Sequence, residues 1–302
     1  RIQSASQQLG RGQIGKVALQ RERVHIPDLT LETVDFDRAD LIREEDFVAY
    51  FGLPLLAKGE LLGVLEIFHR FPLDPTSEWI QFLETLAGQA GLAIDHLNLF
   101  HDLQQSNVRL NQAYNQVIEG WARALELKDQ ETEGHSRRVV DMALAAGREL
   151  GMSGEELVDL RQGALLHDIG KMGIPDRIIR KPGPLNEEEW ALMKKHPKFA
   201  REMLEPIDYL RGALDVPYSH HERWDGSGYP QGLAGKEIPL AARIFAVVDV
   251  WDALRSDRPY RKAWSREKTL TYLEEQAGTL FDPEVVKVFL RLVRQDDFPG
   301  TG

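Results

Sequence analysis

Hydrophobic and polar positions change rhythm twice along this chain. FVAYFGLPLL (47–56) and ELLGVLEIFHR (60–70) are dense in aliphatic and aromatic residues, with Ala57-Lys58-Gly59 between them. That combination predicts a β-hairpin. GKVALQ (15–20) and RVHIPDL (23–29) suggest earlier extended pieces, and the acidic stretch 32–46 a loop or a short polar helix. From Thr76 the apolar positions Trp79, Phe82, Leu83, Leu86, Ala90, Ala93 and Leu97 recur at steps of three and four, which is a helical period.

The helix is expected to continue. Phe100, Leu103, Asn107, Leu110, Tyr114, Val117 and Trp121 alternate in steps of three and four, about three heptads with one polar residue at a core position. A parallel dimeric coiled coil with Asn107 setting its register is the sharper expectation. A single long helix packed on its own domain is the plainer one. From 121 to about 296 the pattern is helical. Asn186 and Glu189 have capping-box spacing after Lys-Pro-Gly-Pro, and Ile238–Leu254 is so nearly unbroken in apolar residues that its helix must be deeply buried. The expected organisation is therefore an α/β module over 1–98, a helical linker over 99–122 and an all-α domain over 123–302.

Composition narrows the function. A chain of 302 residues is long enough for two cores. It has no cysteine, which removes disulfides, thiolate nucleophiles and cysteine metal sites, and fits a reducing, cytoplasmic setting. A net charge of −11 argues against a nucleic-acid polymer as partner. No apolar run approaches the roughly 18 residues that span a bilayer, and the polar N-terminal stretch does not read as a signal peptide. The chain starts with Arg rather than Met, and a piece of a longer protein is expected.

The chemistry gathers on histidines. Of nine, His25, His69, His96 and His101 have no acidic partner at ligand spacing and read as surface or packing residues. The other five come with carboxylates. Glu131 and His135 are four apart and share a face if that stretch is helical; a solvated helical turn is the alternative. His167-Asp168 follows an apolar run, and a buried carboxylate is costly unless paired or metal-bound; a simple His–Asp hydrogen bond is the alternative. Lys171 lies one turn past His167. His196 precedes Pro197 and so sits at a helix break. Asp249, among Phe245, Val247, Val248, Val250 and Trp251, needs a partner, either Arg243 or a metal. Asp252, one turn on, reads as structural.

His220 and His221 stand side by side at the head of HHERWDGSGYP (220–230). Five imidazoles and three carboxylates are too many for one catalytic zinc and suit two or three octahedral ions. The side chains together carry about −3, so two divalent ions bring the cluster to about +1 and three to about +3. Such a centre attracts anions, and metal pairs are used to hydrolyse phosphate esters.

Five stretches spread over about 121–290 resemble the HD-GYP family, a subgroup of the HD phosphohydrolases. They are KDQETEGHSRRV, LLHDIGKMGIP, KPGPLNEEEWALMKKHP, HHERWDGSGYPQGL and RIFAVVDVWDALRSDRPYRKA. The resemblance implies hydrolysis of the bacterial second messenger cyclic di-GMP to pGpG or GMP at two or three metal ions, usually iron and sometimes manganese. By this likeness His167, Asp168, His196, His220, His221 and Asp249 are the core metal ligands, with Asp168 bridging. His135 is the ligand of a third ion, and Glu131, at a variable position, resembles the trinuclear members. Lys171 matches a lysine near the scissile phosphate that stabilises its charge or protonates the leaving oxygen. Arg258 and Arg261 match residues holding the substrate phosphates, the second being commonly Lys in the family. Gly228-Tyr229-Pro230 matches a rigid turn that shapes the pocket or a partner interface.

Residues 1–98 resemble the C-terminal two-thirds of a GAF sensory domain, through FVAYFGLPLLAKGELLGVLEIFHR and FLETLAGQAGLAID, with its first helix and strands missing. The whole is expected to be a partial α/β GAF-like domain joined by a long helix or coiled coil to an all-α HD-type helical domain. A second copy and signalling domains are the expected partners. A weakly active nucleotide-sensing or docking protein, and a phosphodiesterase for another cyclic dinucleotide, are the alternatives.

Overall fold

The computed structural model describes residues 12–31, 36, 39–129, 134–257 and 262–295. Its contacts divide the chain into two units, Arg1–Asn111 and Gln112–Gly302. The division falls inside the stretch expected to be a linker.

The first unit contains α1 (Gly12–Gln20), β1 (Val24–Ile26), α2 (Ala39–Glu44), β2 (Ala49–Ala57), β3 (Glu60–His69) and the first part of α3 (Ser77–Asp129). Its antiparallel sheet has the order β1-β2-β3, with Val24 opposite Gly52 and Leu53 opposite Leu65. The hairpin turns on Lys58 and Gly59, at φ 50° and 83°. Positive φ at both central residues is the turn geometry whose twist matches that of the flanking strands. Phe51 and Leu53 of β2 form a small core with Leu83 and Ala87 of α3. The helix comes close because Gly91 has no side chain: a β-carbon there would lie 2.5 Å from the Leu56 carbonyl oxygen.

One expectation fails here. GKVALQ is not extended but forms the second half of α1. Gln13 and Val17 are buried four residues apart while Leu19 is exposed, so the burial follows a helical period. Six residues were too few to show it. Val17 packs over Gly52 of β2.

The second unit begins with the C-terminal part of α3, whose Ile118 and Ala122 enter its core. It continues with α4 (His135–Glu149), α5 (Gly154–Leu165), a 3-10 turn (Ile169–Gly173), α6 (Asp176–Ile179), α7 (Glu187–Met193), α8 (His196–Leu204), α9 (Asp215–Ser219), α10 (Leu240–Arg255), α11 (Arg266–Glu275) and α12 (Pro283–Arg294). No strand occurs among its described residues. The Asn186–Glu189 capping box starts α7 as expected, and Ser153 with Glu156 builds a second one at α5. The apolar run 238–254 becomes α10, with Ala242, Ile244, Phe245, Val247 and Val248 all fully buried. No helix is long and apolar enough to cross a membrane, among the described residues.

Arg243 does not serve Asp249. Its guanidinium donates to Asp282 Oδ2 at 2.5 Å and to the Ile238 carbonyl oxygen at 2.8 Å. Asp282, 3% exposed, also caps α12 by accepting from the Glu284 amide. The pair thus ties the start of α10 to the start of α12. Arg243→Ala strands a buried carboxylate and is expected to lower the stability of this unit by about 3–5 kcal/mol, measured as a shift in urea midpoint. A loss below about 1 kcal/mol would contradict the tie.

Candidate metal centre

Helix ends supply nearly all of the candidate ligands. His135 is the first residue of α4. His167 and Asp168 lie in the turn between α5 and the 3-10 turn. His196 is the first residue of α8, at the expected break before Pro197. His220 and His221 follow the end of α9, and among the described candidates Asp249 alone comes from mid-helix, in α10. Side chains at termini can aim across the helix axes rather than along one face. The break between α7 and α8 does this for His196. Gly170 lets the 3-10 turn lie against α8, since a β-carbon there would fall 1.8 Å from the His196 carbonyl oxygen.

Two groups of possible ligand atoms result, each lying within 4.8 Å of one another: Asp168, His196, His220 and His221, and separately His135, His167 and Asp249. They adjoin at His167 Nε2, 3.2 Å from Asp168 Oδ2. Glu131, Arg258 and Arg261 lie outside the described residues. The spacing of Glu131 and His135 therefore also falls outside the described residues, while Gly134, at φ 76°, immediately precedes α4.

The second ring nitrogens explain how the imidazoles are presented. Nδ1 of His167, His196 and His220 lies 2.9, 2.8 and 3.1 Å from the carbonyl oxygens of Ala164, Met193 and Val216. A carbonyl oxygen only accepts, so each Nδ1 carries the proton and each Nε2 is left with its lone pair. His135 is turned the same way by Asp252, at 2.7 Å from its Nδ1. Asp252 is held in turn by Arg138 at 2.7 and 3.0 Å. The structural reading of Asp252 thus takes a definite form, as the residue that orients His135. Arg138 was not visible in the sequence because its target is 114 residues away.

The lone pairs converge. Nε2 of His196 and His220 are 3.4 Å apart, and Asp168 Oδ1 is 3.3 and 3.7 Å from them. Oδ1 is buried and accepts no hydrogen bond. His135 Nε2 similarly faces Asp249 Oδ1 at 3.6 Å. Acceptors packed against acceptors repel, and a cation among them removes the repulsion. The residues therefore fit a divalent metal, with neutral imidazole and carboxylate as donors.

Electrostatics agree with that reading. Burial pushes the Asp168 carboxyl up, but the Lys171 ammonium 2.6 Å away opposes this and helps hold it well below the usual carboxylate range. Burial drives His196 down to about 4 despite the pull of Asp168. His221 is also driven well down, by burial and then by His220 and His196. These two rings stay neutral, as ligands must.

A family profile for the HD domain matches residues 120–285, and one for the GAF domain matches residues 2–94. The chain belongs to the HD-domain family. Its HD domain is the helical unit just described, and a GAF domain precedes it. The chain is 42% identical over 197 residues to the cyclic di-GMP phosphodiesterase response regulator RpfG of Xanthomonas campestris, covering 65% of this chain and 52% of that protein. It is 42% identical over 174 residues to a cyclic di-GMP phosphodiesterase of Thermotoga maritima (56% and 47%). It is 36% identical over 212 residues to the 3'3'-cGAMP-specific phosphodiesterase 2 of Vibrio cholerae (70% and 39%). The chain thus spans about half or less of the length of these curated relatives. The solved structure of a cyclic GMP-AMP-specific phosphodiesterase of V. cholerae shares the HD fold at a TM-score of 0.50 and 21% identity, over 60% of this chain and 49% of that one.

The lowered pKa of His196 has a consequence for stability. Between its ordinary 6.5 and about 4 the unfolded chain binds a proton that the folded chain refuses, so stability rises with pH across that window and is lost as pH falls. Chelator-treated protein is expected to show a falling urea midpoint from pH 6.5 to 4. His196→Asn is expected to flatten the slope by about 1.4 kcal/mol per pH unit. An unchanged slope would contradict the buried neutral ring.

Proposed function

We propose that this chain is an HD-GYP-type phosphodiesterase that hydrolyses cyclic di-GMP in the cytoplasm, under the control of its GAF domain. One observation carries the reading: imidazole lone pairs and a buried carboxylate oxygen converge at 3.3–3.7 Å beside an ammonium group. That constellation suits two or three divalent ions, iron first and manganese second. When bound, the ions supply Lewis acidity and an activated water for attack on phosphorus. The relatives named as cyclic di-GMP phosphodiesterases support the substrate class. The V. cholerae relatives named as 3'3'-cGAMP-specific favour a second reading, in which the mixed cyclic dinucleotide is cleaved.

The residues take these roles. Asp168 with His196, His220 and His221 would hold one ion and His167, His135 and Asp249 another, Asp168 lying where it could serve both, and Glu131 would contribute to a third. Lys171 keeps Asp168 ionised, then stabilises charge on the phosphoryl oxygens or returns a proton to the leaving 3' oxygen. Arg258 and Arg261 hold the remaining substrate phosphates, and the Gly228-Tyr229-Pro230 turn shapes the pocket. With Glu131 contributing, these residues would hold a third ion and GMP would be the expected product; without it, pGpG would be.

Metal counting on anaerobically purified protein, run beside turnover of cyclic di-GMP and 3'3'-cGAMP, tests the reading. Two to three ions per chain and a preference for cyclic di-GMP are expected. Asp168→Ala is expected to drop bound metal below one ion and turnover by about 10³-fold. Full turnover by that variant overturns the assignment, and preference for cGAMP selects the second reading.

Regulation is assigned to a parallel dimer through the helical segment 99–122. Phe100, Leu103, Asn107, Leu110, Tyr114, Val117 and Trp121 are all exposed on α3. An apolar seam with a lone Asn is what a second copy of the same helix would cover. Sedimentation of the wild-type chain is expected to give a dimer at micromolar concentration, and Leu103→Asp with Leu110→Asp a monomer. A wild-type monomer would overturn the dimer.

A further inference from the structure

His221 is held differently from the other site histidines. His135, His167, His196 and His220 each have Nδ1 against a carboxylate or carbonyl oxygen at 2.7–3.1 Å. His221 has no such ring hydrogen bond among the described residues. It is confined by rings: His220 at 4.0 Å, His196 edge-on at 5.0 Å and Tyr229 at 4.8 Å with a 30° tilt. His220 and His196 are themselves candidate ligands, so Tyr229 is the one aromatic ring from outside the cluster that meets it, among the described residues. A shift of Tyr229 would therefore leave His221 room to move.

Tyr229 lies on a loop that folds back onto the segment carrying His221. At Gly228 the two backbones touch. A β-carbon there would lie 2.4 Å from the Arg223 nitrogen, 2.5 Å from Glu222 Cα and 2.6 Å from the His221 carbonyl oxygen. The Tyr229 amide donates to that same carbonyl at 3.2 Å. Just beyond, Glu222 takes hold. Its carboxylate is 4% exposed and forms no ion pair among the described residues. It accepts from three successive amides: Gln231 at 2.7 Å, Gly232 at 3.2 and 3.1 Å, and Leu233 at 3.1 Å. Gly232, at φ 74°, gives the left-handed backbone that turns these amides toward one anion. Hydrogen bonds to an ionised acceptor are the strong kind. The loop is thus fastened at its far side by the residue next to His221.

We propose that Glu222 is a positioning residue for His221, acting through the 228–233 loop and the Tyr229 ring, so that its removal loosens metal held by Asp168, His196, His220 and His221. This rests on the metal-centre reading above. It goes beyond that reading by assigning a metal-orienting role to a side chain that faces three backbone amides and hydrogen-bonds to no candidate ligand atom among the described residues. Such outer partners are worth about 10- to 100-fold in metal affinity when removed.

The full chain loaded with Mn²⁺ is challenged with graded EDTA, and retained Mn²⁺ is counted. Glu222→Gln and Tyr229→Leu are expected to release one ion per chain at EDTA concentrations about 10- to 100-fold lower than wild type. Tyr229→Phe, which keeps the ring face, is expected to stay within about twofold. Glu222→Gln added to His221→Ala is expected to loosen the metal no further than His221→Ala alone, because the two act on one ligand. Additive losses, or wild-type retention by Glu222→Gln or Tyr229→Leu, overturn the proposal. If Glu222→Gln does not fold by circular dichroism, Tyr229→Leu, which leaves the Glu222 contacts in place, decides it. A wild-type chain that holds no Mn²⁺ overturns the metal-centre reading and this proposal with it. Wild-type binding with unaffected variants overturns the positioning alone.

Discussion

The buried charge of Asp168 is the constraint on which the HD unit turns. A carboxylate 5% exposed in an α-helical core is destabilising unless something positive stands beside it. Lys171, three residues on, supplies one charge at 2.6 Å. The imidazoles around the other oxygen supply none, because their protons are committed to backbone carbonyls. The fold therefore accumulates acceptors without donors between them, an arrangement that favours a cation. The same geometry that weakens the metal-free state prepares the site for metal.

Around this point the helices act as spacers rather than as ligand platforms. Candidate ligands come from the starts of α4 and α8, the end of α9 and the turn after α5, so the centre depends on how several short connections are held. Glycines fix some of them by close approach, Gly170 against α8 and Gly228 against the 221–223 backbone. Carboxylates fix others: Asp282 receives Arg243, Asp252 orients His135, and Glu222 gathers three amides. These carboxylates are buried at 3–4% exposure. Each is satisfied by hydrogen bonds, as burial requires.

The GAF unit follows simpler rules. Its hairpin turns where Lys-Gly permits positive φ, and its sheet packs on α3 where Gly91 permits contact. Most of the apolar seam on α3 is exposed within a single chain, although Tyr114 meets Tyr209. A seam of that period is stable when matched to another like it.

Much of this was legible in the chain itself. Strand-rich runs around Lys58-Gly59, the capping box at Asn186, the apolar run of α10 and the gathering of histidines with carboxylates all rest on local pattern, which one-dimensional reading captures. Local pattern failed where the window was short, as at α1. What only the tertiary structure decided were pairings between distant residues: Arg243 with Asp282 rather than Asp249, Arg138 and His135 with Asp252, and Glu222 with the loop beyond Tyr229. Residue types announce that a buried charge needs a partner. Which partner it finds depends on where helix ends meet, and that is set by packing of the whole core.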